Sequence, residues 1–223
     1  MPYSIFWIQF QQWKAGADMK IEYIIQKLFR KIFNRPCIKE SKIDNTARID
    51  VGTVISNSTL GKYSYVGEHS SMIHTKVGAF TCISNYCAIG GGTHPIKWVS
   101  MSPVFNTSGG IIKKKLGTTE FEPFLDVKIG NDVWIGSHVL VKSGVTIADG
   151  AVIGMGSVVT HDVGAYEIWA GNPAHLIRKR FDETLIQDMQ RISWWDLSDK
   201  QLKELAPYVE NPYKFVEKFG EQK

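Results

Sequence analysis

Histidine is the residue type whose placement in this sequence points most directly to chemistry. His94 follows a Gly-Gly-Gly-Thr run and begins a long irregular stretch. An imidazole titrates near neutral pH and can take a proton from a hydroxyl, so His94 is a candidate general base. On the residues alone, a polar residue at a loop entrance is the other interpretation. The remaining histidines are scattered and are interpreted as exposed positions: His69, His74, His138, His161 and His175.

The sequence lacks the residue patterns of a serine-nucleophile site, a metal site or a disulfide framework. No serine stands in a nucleophile-elbow motif, and no spacing suggests metal ligands that converge, so no metal is predicted. The three cysteines, Cys37, Cys82 and Cys87, are too few for a disulfide framework and lack the paired spacing of a zinc site. This pattern predicts reduced thiols in a cytoplasmic protein.

A strict six-residue repeat runs through the second half of the chain. Its aliphatic residues are Ile129, Ile135, Val141, Ile147, Ile153 and Val159. Four places after each aliphatic comes a small or β-branched residue, as at Val133 and Ser157. A period of six fits a short strand followed by a tight corner, whereas a helix needs about 3.6 and a lone strand needs two. The repeat therefore predicts stacked coils whose aliphatic side chains point inward.

The same repeat occupies the first half, with two shifts of one residue. Its members are Ile43, Ile49, Ile55, Leu60, Val66, Met72, Val77, Ile83 and Ile89. The rule stops after Ile89 and resumes at Val127, and residues 95–126 are predicted to form a loop. A loop of this length inside a regular solenoid is uncommon unless it is functional. It begins directly after Thr93 and His94.

With these features the sequence resembles the hexapeptide-repeat acyltransferases. The stretch from Asn85 to Ser100 is similar to the active-site segment of their xenobiotic acetyltransferase branch, which includes type B chloramphenicol acetyltransferases and many surface-polysaccharide O-acetyltransferases. The resemblance covers residues 43–94 and 127–163, about half of the chain. It implies a mainly β fold, a left-handed parallel β-helix with three short strands per coil. The left hand comes from the family, because the period alone does not show it.

The resemblance also implies a reaction and an organisation. His94 would be the general base in direct acetyl transfer from acetyl-coenzyme A to a hydroxyl within a ternary complex, with Asn85 and Trp98 beside the acceptor. We expect an N-terminal amphipathic helical segment over residues 1–38, a β-helix domain over 39–173 with the loop insertion 95–126, and a C-terminal helical extension over 174–223.

The coenzyme side of the family lies in a groove between two β-helices of a homotrimer. Carried over by position, the cofactor-binding residues are Trp134, Ser137, Gly154, Met155, Thr160, His161 and Arg178. Two residues depart from the family pattern, because Met155 replaces an alanine and His161 replaces a lysine. The charge of a histidine depends on pH, which weakens the expected phosphate contact, and Arg178, Lys179 and Arg180 are the residues able to compensate.

Charge is concentrated at the N-terminus. Residues 1–36 hold six basic groups against two acidic ones, and the rest of the chain is balanced, which speaks against a nucleic-acid partner. Apolar residues between Ile21 and Phe33 form one helical stripe with cations around it. We expect this basic helix either to cap the end of the β-helix or to contact an anionic membrane peripherally. No apolar run approaches the length of a membrane span, and the first ten residues are a poor signal peptide.

The C-terminal residues carry helical signals. Leu185, Met189 and Ile192 predict one buried helix face, and Ser198 with Gln201 forms a capping-box signature. For the whole chain the resemblance favours an O-acetyltransferase of a sugar or surface-polysaccharide precursor. The alternatives are an antibiotic acetyltransferase for chloramphenicol or streptogramins, a γ-type carbonic anhydrase with bound metal, and a non-catalytic β-helix scaffold.

Overall fold

The fold is a three-sided parallel β-helix followed by three helices. A computed structural model describes residues 24–25, 28–29, 32–108 and 112–221. Sheet A contains β1 (Cys37–Lys39), β4 (Val54–Ser56), β7 (Ser71–Ile73), β10 (Ala88–Gly90), β13 (Leu140–Val141) and β16 (Val158–Val159). Sheet B contains β2 (Lys42–Ile43), β5 (Thr59–Leu60), β8 (Thr75–Val77), β11 (Val127–Ile129) and β14 (Thr146–Ile147). Sheet C contains β3 (Arg48–Ile49), β6 (Tyr65–Val66), β9 (Cys82–Ile83), β12 (Trp134–Ile135), β15 (Val152–Ile153), β17 (Glu167–Gly171) and β18 (Ala174–Lys179).

Each coil visits sheets A, B and C in turn, and we name its turns the AB, BC and CA corners. Among the named strands of the described residues, all pairings are parallel except that between β17 and β18. The predicted aliphatic residues meet across the coils, as Ile55 pairs with Met72 and Met72 with Ile89. The early coils repeat after 17 residues and the late coils after 18. The missing residue lies at the early AB corners, which explains the two shifts seen in the repeat.

The core is a column of aliphatic side chains inside the prism. The repeat positions Ile55, Ile83, Ile135 and Ile153 are completely buried. Burying one such side chain is worth about 1.5–3 kcal/mol, and the stack repeats that gain in every coil. The predicted inward orientation is therefore confirmed.

The position four places after each aliphatic residue holds one of two kinds of buried side chain. In early coils it is often a buried hydroxyl that donates to a carbonyl of the next coil, as from Thr53 to Gly67 at 2.9 Å and from Thr81 to Gly130 at 2.8 Å. In late coils it is often a buried aliphatic such as Val133, Val139 or Val145. Either choice closes the corner without leaving a buried polar group unpaired.

The C-terminal part differs in one place from the sequence-based expectation of helix after Pro173. Residues 174–179 form β18, which pairs antiparallel with β17 and extends sheet C. Gly171, with a φ of 106°, and the cis peptide before Pro173 turn the chain back at this point. The prediction of helix was wrong for residues 174–179, because their backbone groups form hydrogen bonds with β17 in place of the hydrogen bonds within a helix.

Helices follow the hairpin: α1 (Glu183–Ile192), α2 (Asp199–Leu205) and α3 (Pro212–Glu221), with 3-10 turns at Trp194–Asp196 and Ala206–Tyr208. The predicted apolar face of α1 is buried, and the capping box of α2 is present. The helices pack on the BC corner, where the Phe80 and Trp194 ring centroids lie 4.8 Å apart. These helices form a second hydrophobic cluster, in which Leu205 is completely buried.

The N-terminal prediction falls largely outside the described residues. Residues 24–25, 28–29 and 32–33 are helical, and their apolar side chains are exposed, with Phe33 at 76%. Because most of the segment lies outside the described residues, capping of the β-helix stays a prediction. The basic residues of the predicted stripe, apart from Arg35, lie outside the described residues.

Candidate active site

His94 leaves the prism at the AB corner that follows β10. Gly90 and Gly91 have φ angles of 74° and 114°, which side chains rarely adopt. A Cβ at Gly90 would lie 2.1 Å from the Ile73 carbonyl oxygen, so glycine is required for the chain to turn outward here. This turn places the His94 side chain on the exterior, at the start of the loop.

A backbone carbonyl orients the His94 ring. His94 Nδ1 lies 3.0 Å from the Met101 carbonyl oxygen, which can only accept a hydrogen bond. The proton of a neutral ring is therefore held at Nδ1, and the Nε2 lone pair is left for another partner. That is the state a general base needs. The sequence did not reveal Met101, because a carbonyl acceptor seven residues away leaves no residue-type signal.

Trp98 lies on the same loop as His94, whereas Asn85 does not. The Trp98 ring meets Phe121 edge-on at 5.9 Å, and its backbone N–H donates to the Pro95 carbonyl at 3.0 Å. Asn85 lies in the preceding CA corner, where its Oδ1 accepts from the Glu68 backbone N–H at 3.0 Å. The side-chain carbonyl oxygen of Asn85 thus stabilises the corner. Roles at the acceptor stay predictions for both residues.

Four of the predicted coenzyme-contact residues lie close together on late coils. Trp134 pairs with Val152 on the outer face of sheet C, and the other three, Ser137, Gly154 and Met155, lie where β12 and β15 enter the CA corner. The Gly156 N–H donates to the Ser137 carbonyl at 2.9 Å, which stacks the two corners. Met155 is 80% exposed, and its backbone N–H has no acceptor among the described residues.

The other three coenzyme-contact candidates lie elsewhere. Thr160 and His161 follow β16 at the AB corner, where Thr160 Oγ1 lies 2.9 Å from His161 Nδ1. Arg178 lies on β18 and donates to the Lys179 carbonyl at 2.9 Å. One chain thus presents these seven residues on two corners, on the outer face of sheet C and on the edge strand of that sheet, rather than in one pocket.

The basic triplet 178–180 is divided between surface and interior. Lys179 pairs with Glu183 at 2.5 Å. Arg180 turns toward the BC corner, where its Nη1 donates to Asp132 Oδ2 at 3.0 Å and to the Gly150 carbonyl at 2.7 Å. Burial raises the pKa of the Asp132 carboxyl, and the Arg180 guanidinium opposes that rise. Arg180 therefore holds the fold and is not placed to compensate for His161.

Titratable groups elsewhere show structural roles. Burial raises the pKa of the Cys82 and Cys87 thiols, which favours the unreactive protonated form. Burial also raises the pKa of the Tyr166 hydroxyl, whose ring lies 5.3 Å from the Arg180 guanidinium. Within the described ranges, no three His, Cys, Asp or Glu side chains are grouped so that they could hold a metal ion.

Comparison with protein families and curated proteins gives consistent matches. The model of the bacterial transferase hexapeptide (six repeats) matches residues 126–161. A chloramphenicol acetyltransferase of Agrobacterium fabrum is 35% identical over 172 residues, covering 69% of this chain and 82% of that protein. A chloramphenicol acetyltransferase of Escherichia coli is 38% identical over 138 residues, covering 57% of this chain and 64% of that protein.

Among solved structures, a mutant of AntD, an N-acyltransferase from Bacillus cereus, is similar in fold. It superposes with a TM-score of 0.51 at 17% identity, covering 76% of this chain and 96% of that chain. At this identity the similarity shows the β-helix alone. The identity to the chloramphenicol acetyltransferase of Agrobacterium fabrum carries the assignment of family.

Proposed function

Because the chain belongs to the hexapeptide-repeat acetyltransferases, in the xenobiotic acetyltransferase branch, we propose that it moves an acetyl group from acetyl-coenzyme A to a hydroxyl of a sugar or surface-polysaccharide precursor. The acetyl-coenzyme A-dependent acyltransferase class follows from the family. The acceptor, the base and the assembly are proposals.

The observation that carries the mechanism is the hydrogen bond between His94 Nδ1 and the Met101 carbonyl oxygen. With Nδ1 protonated, Nε2 accepts the proton of the acceptor hydroxyl as its oxygen attacks the thioester carbonyl carbon. The tetrahedral adduct then collapses, the carbon–sulfur bond breaks, and the imidazolium returns the proton to the leaving thiolate. Acceptor and donor meet in one complex, so no acyl-enzyme is formed.

The residues proposed for the coenzyme fit an extended, amide-rich ligand. The Met155 N–H is an unused donor on an exposed corner, suited to a pantetheine carbonyl. The Trp134 side chain is 54% exposed beside it on sheet C. Ser137 and Gly154 flank these two, and Thr160, His161 and Arg178 supply polar and cationic groups for the remainder of the coenzyme.

We also propose a homotrimer, because the three outer faces of the prism differ. The outward residues of sheet A are mainly apolar or small, including Val54, Ala88, Leu140 and Val158, and those of sheet C include Tyr65, Trp134, Val152 and Ile168. Sheet B instead presents Lys42, Thr59, Lys76, Lys128 and Thr146. Two apolar faces per chain suit packing against two neighbours, which would bring the dispersed coenzyme residues of one chain to the loop of another.

The lysines of the loop support a polar acceptor. Lys97, Lys113 and Lys114 are exposed there, and the Trp98 ring offers a flat surface for a sugar ring. A nucleotide-linked sugar would match both features. Chloramphenicol is the second candidate, because both curated relatives described above are chloramphenicol acetyltransferases.

We further propose that the protein is cytoplasmic and contacts anionic membrane surfaces through its N-terminal segment. The exposed stripe that includes Ile24, Leu28 and Phe29 and the excess of basic residues in this segment support that contact. No helix among the residues whose placement is described has the length and apolar character needed to cross a bilayer.

One assay tests the proposal: release of free coenzyme A thiol from acetyl-coenzyme A with nucleotide sugars, oligosaccharides or chloramphenicol as acceptor. We expect turnover with a sugar acceptor that His94→Ala abolishes. Turnover with chloramphenicol alone would overturn the acceptor class but leave the base intact. Undiminished turnover by His94→Ala would overturn the mechanism. Failure of coenzyme A to raise Tm would contradict the coenzyme site.

A further inference from the structure

The loop carrying His94 is joined to the prism only at its two stems. Within residues 94–108 and 112–122, the hydrogen bonds and ring contacts of the described structure stay among these residues, except that the Phe124 backbone N–H donates to Glu122 Oε1 at 3.0 Å. The 3-10 turn at Pro103–Phe105 and the pairing of Asn106 with Thr119 hold the loop to itself. The position of His94 relative to the coils is therefore decided at the stems.

The returning stem of the loop (residues 123–126) holds the outgoing stem (residues 90–93). The Pro123 carbonyl accepts from the Thr93 backbone N–H at 2.6 Å and from Thr93 Oγ1 at 3.0 Å. Gly92 forms an antiparallel bridge with Phe124 one residue away. Because Thr93 directly precedes His94, the location of Pro123 and Phe124 sets the location of the imidazole.

The returning stem is itself fixed to the coil below. The Phe124 ring stacks on the His74 ring with centroids 4.3 Å apart and planes 6° apart. Asp126 pairs with Lys76 at 2.6 Å, and the Val127 N–H donates to the His74 carbonyl at 2.9 Å.

It is also fixed to the coil above. Ser143 Oγ donates to the Leu125 carbonyl at 2.8 Å and accepts from the Leu125 N–H at 3.2 Å. Residues 124–126 are thus held from both sides, whereas the Gly90–Gly92 run of the outgoing stem has the backbone freedom of glycine. The returning stem must therefore supply the rigidity that the glycine-rich outgoing stem lacks.

We propose that Phe124 and His74 are positioning residues of the acetyl transfer. Their stacked rings lock the returning stem, and Thr93 transmits that placement to His94. This inference rests on the proposed role of His94 as base. Neither ring needs to touch acceptor or coenzyme. His74 acts by stacking on Phe124, and its Nδ1 also lies 3.7 Å from Asp126 Oδ1 of the same stem.

A small displacement of a base is costly, since about 1 Å can reduce a rate by around 100-fold. We expect Phe124→Ala to lower kcat about 10-fold or more while KM for acetyl-coenzyme A changes less than about 2-fold, because the residues proposed for the coenzyme lie elsewhere. Phe124→Tyr should keep kcat near that of the wild type. His74→Ala should resemble Phe124→Ala, and His74→Phe, which restores a flat ring without an imidazole, should recover most of the loss.

The matched control is Tyr63→Ala. It removes one ring of another pair, at the BC corner, where the Tyr63 and Phe80 centroids lie 5.1 Å apart. It should lower Tm without lowering kcat. Hydrogen exchange of the peptide containing Thr93 gives a readout independent of activity. Exchange should accelerate in Phe124→Ala and His74→Ala and return toward the wild-type rate in Phe124→Tyr and His74→Phe.

The possible failures are distinguishable. If His94→Ala is inactive but Phe124→Ala keeps wild-type kcat and exchange, the positioning role is wrong and the base stands. If His74→Phe fails to recover kcat in a folded protein, the contact of His74 Nδ1 with Asp126 Oδ1, and not ring stacking, is the means of positioning. If His94→Ala is fully active, the proposed base is wrong, and accelerated exchange in Phe124→Ala would then report only a structural clamp.

Discussion

The AB and BC corners of one prism are built from the same repeat, yet they differ in what covers them. At the BC corner, Phe80 and Asp132 lie beneath the C-terminal helices and pair with Trp194 and Arg180. At the AB corner after β10, glycines send the chain into a loop whose exposed side chains include His94 and Val99. One corner of a solenoid can thus provide stability and another can carry the chemistry, because the residues of a corner can change without disturbing the buried aliphatic column.

The sharpest test of this division is His94→Ala. Loss of a general base should lower kcat by about 100- to 10,000-fold, while Tm stays within about 1 °C because the side chain is exposed. Steady-state kinetics and thermal unfolding measure the two effects. The control is His175→Ala, an exposed histidine whose Nδ1 also lies near a backbone carbonyl, that of Pro173 at 3.5 Å. A His94→Ala variant that retained a tenth of the wild-type kcat would show that the chemistry does not depend on His94 at the AB corner.

The opposite behaviour is expected from Leu205→Ala. Leu205 is completely buried among the C-terminal helices, so truncation should cost about 2–5 kcal/mol of the free energy of unfolding. The kcat of the folded fraction should not change. Denaturant titration measures the loss, and Leu116→Ala, an exposed leucine of the loop, should cost less than about 0.5 kcal/mol. Equal losses at the two leucines would show that the loop and helices do not differ in this way.

A smaller effect with a defined pH dependence is expected from Arg180→Met. Without the guanidinium, the pKa of Asp132, already raised by burial, rises further. Between the usual aspartate pKa and this raised value the folded state binds more protons than the unfolded state, so the free energy of unfolding falls as pH rises. The variant should lose about 1–3 kcal/mol at pH 7 and less at pH 4.

Unfolding at several pH values checks the sign of this change. In the double variant Arg180→Met with Asp132→Asn, the carboxylate is gone and the added pH dependence should disappear. A deficit that grew toward acid pH would contradict the role assigned to Arg180.

The smallest effect concerns the family departure at His161. A lysine stays cationic across neutral pH, whereas the charge of a histidine depends on pH. His161→Lys should lower KM for acetyl-coenzyme A about 2- to 5-fold at pH 8 with kcat unchanged, as expected of one exposed ion pair. His161→Gln is the control and should not lower KM. An unchanged KM in His161→Lys would remove this position from the coenzyme site.

Several features followed from residue types because they depend on local rules. The inward aliphatic residues from Ile129 to Val159 were predictable since each coil buries the same position, and the capping box at Ser198 is complete within four residues. The strand at 174–179 was missed, because β17 supplies its hydrogen bonds through a turn that carries no repeat. The inward turn of Arg180 was missed as well, since its partner Asp132 lies 48 residues away.

Residue order alone specifies the coil, the place where the coil is interrupted and the histidine at that place, because a strict period and its failure are visible in it. The folded chain was needed to see which nitrogen of His94 is held, which of three corners bears the helices, and how Phe124 and His74 meet across 50 residues of chain. Backbone carbonyls and ring stacks join residues whose spacing obeys no period. Their contacts exist only once the coils have stacked.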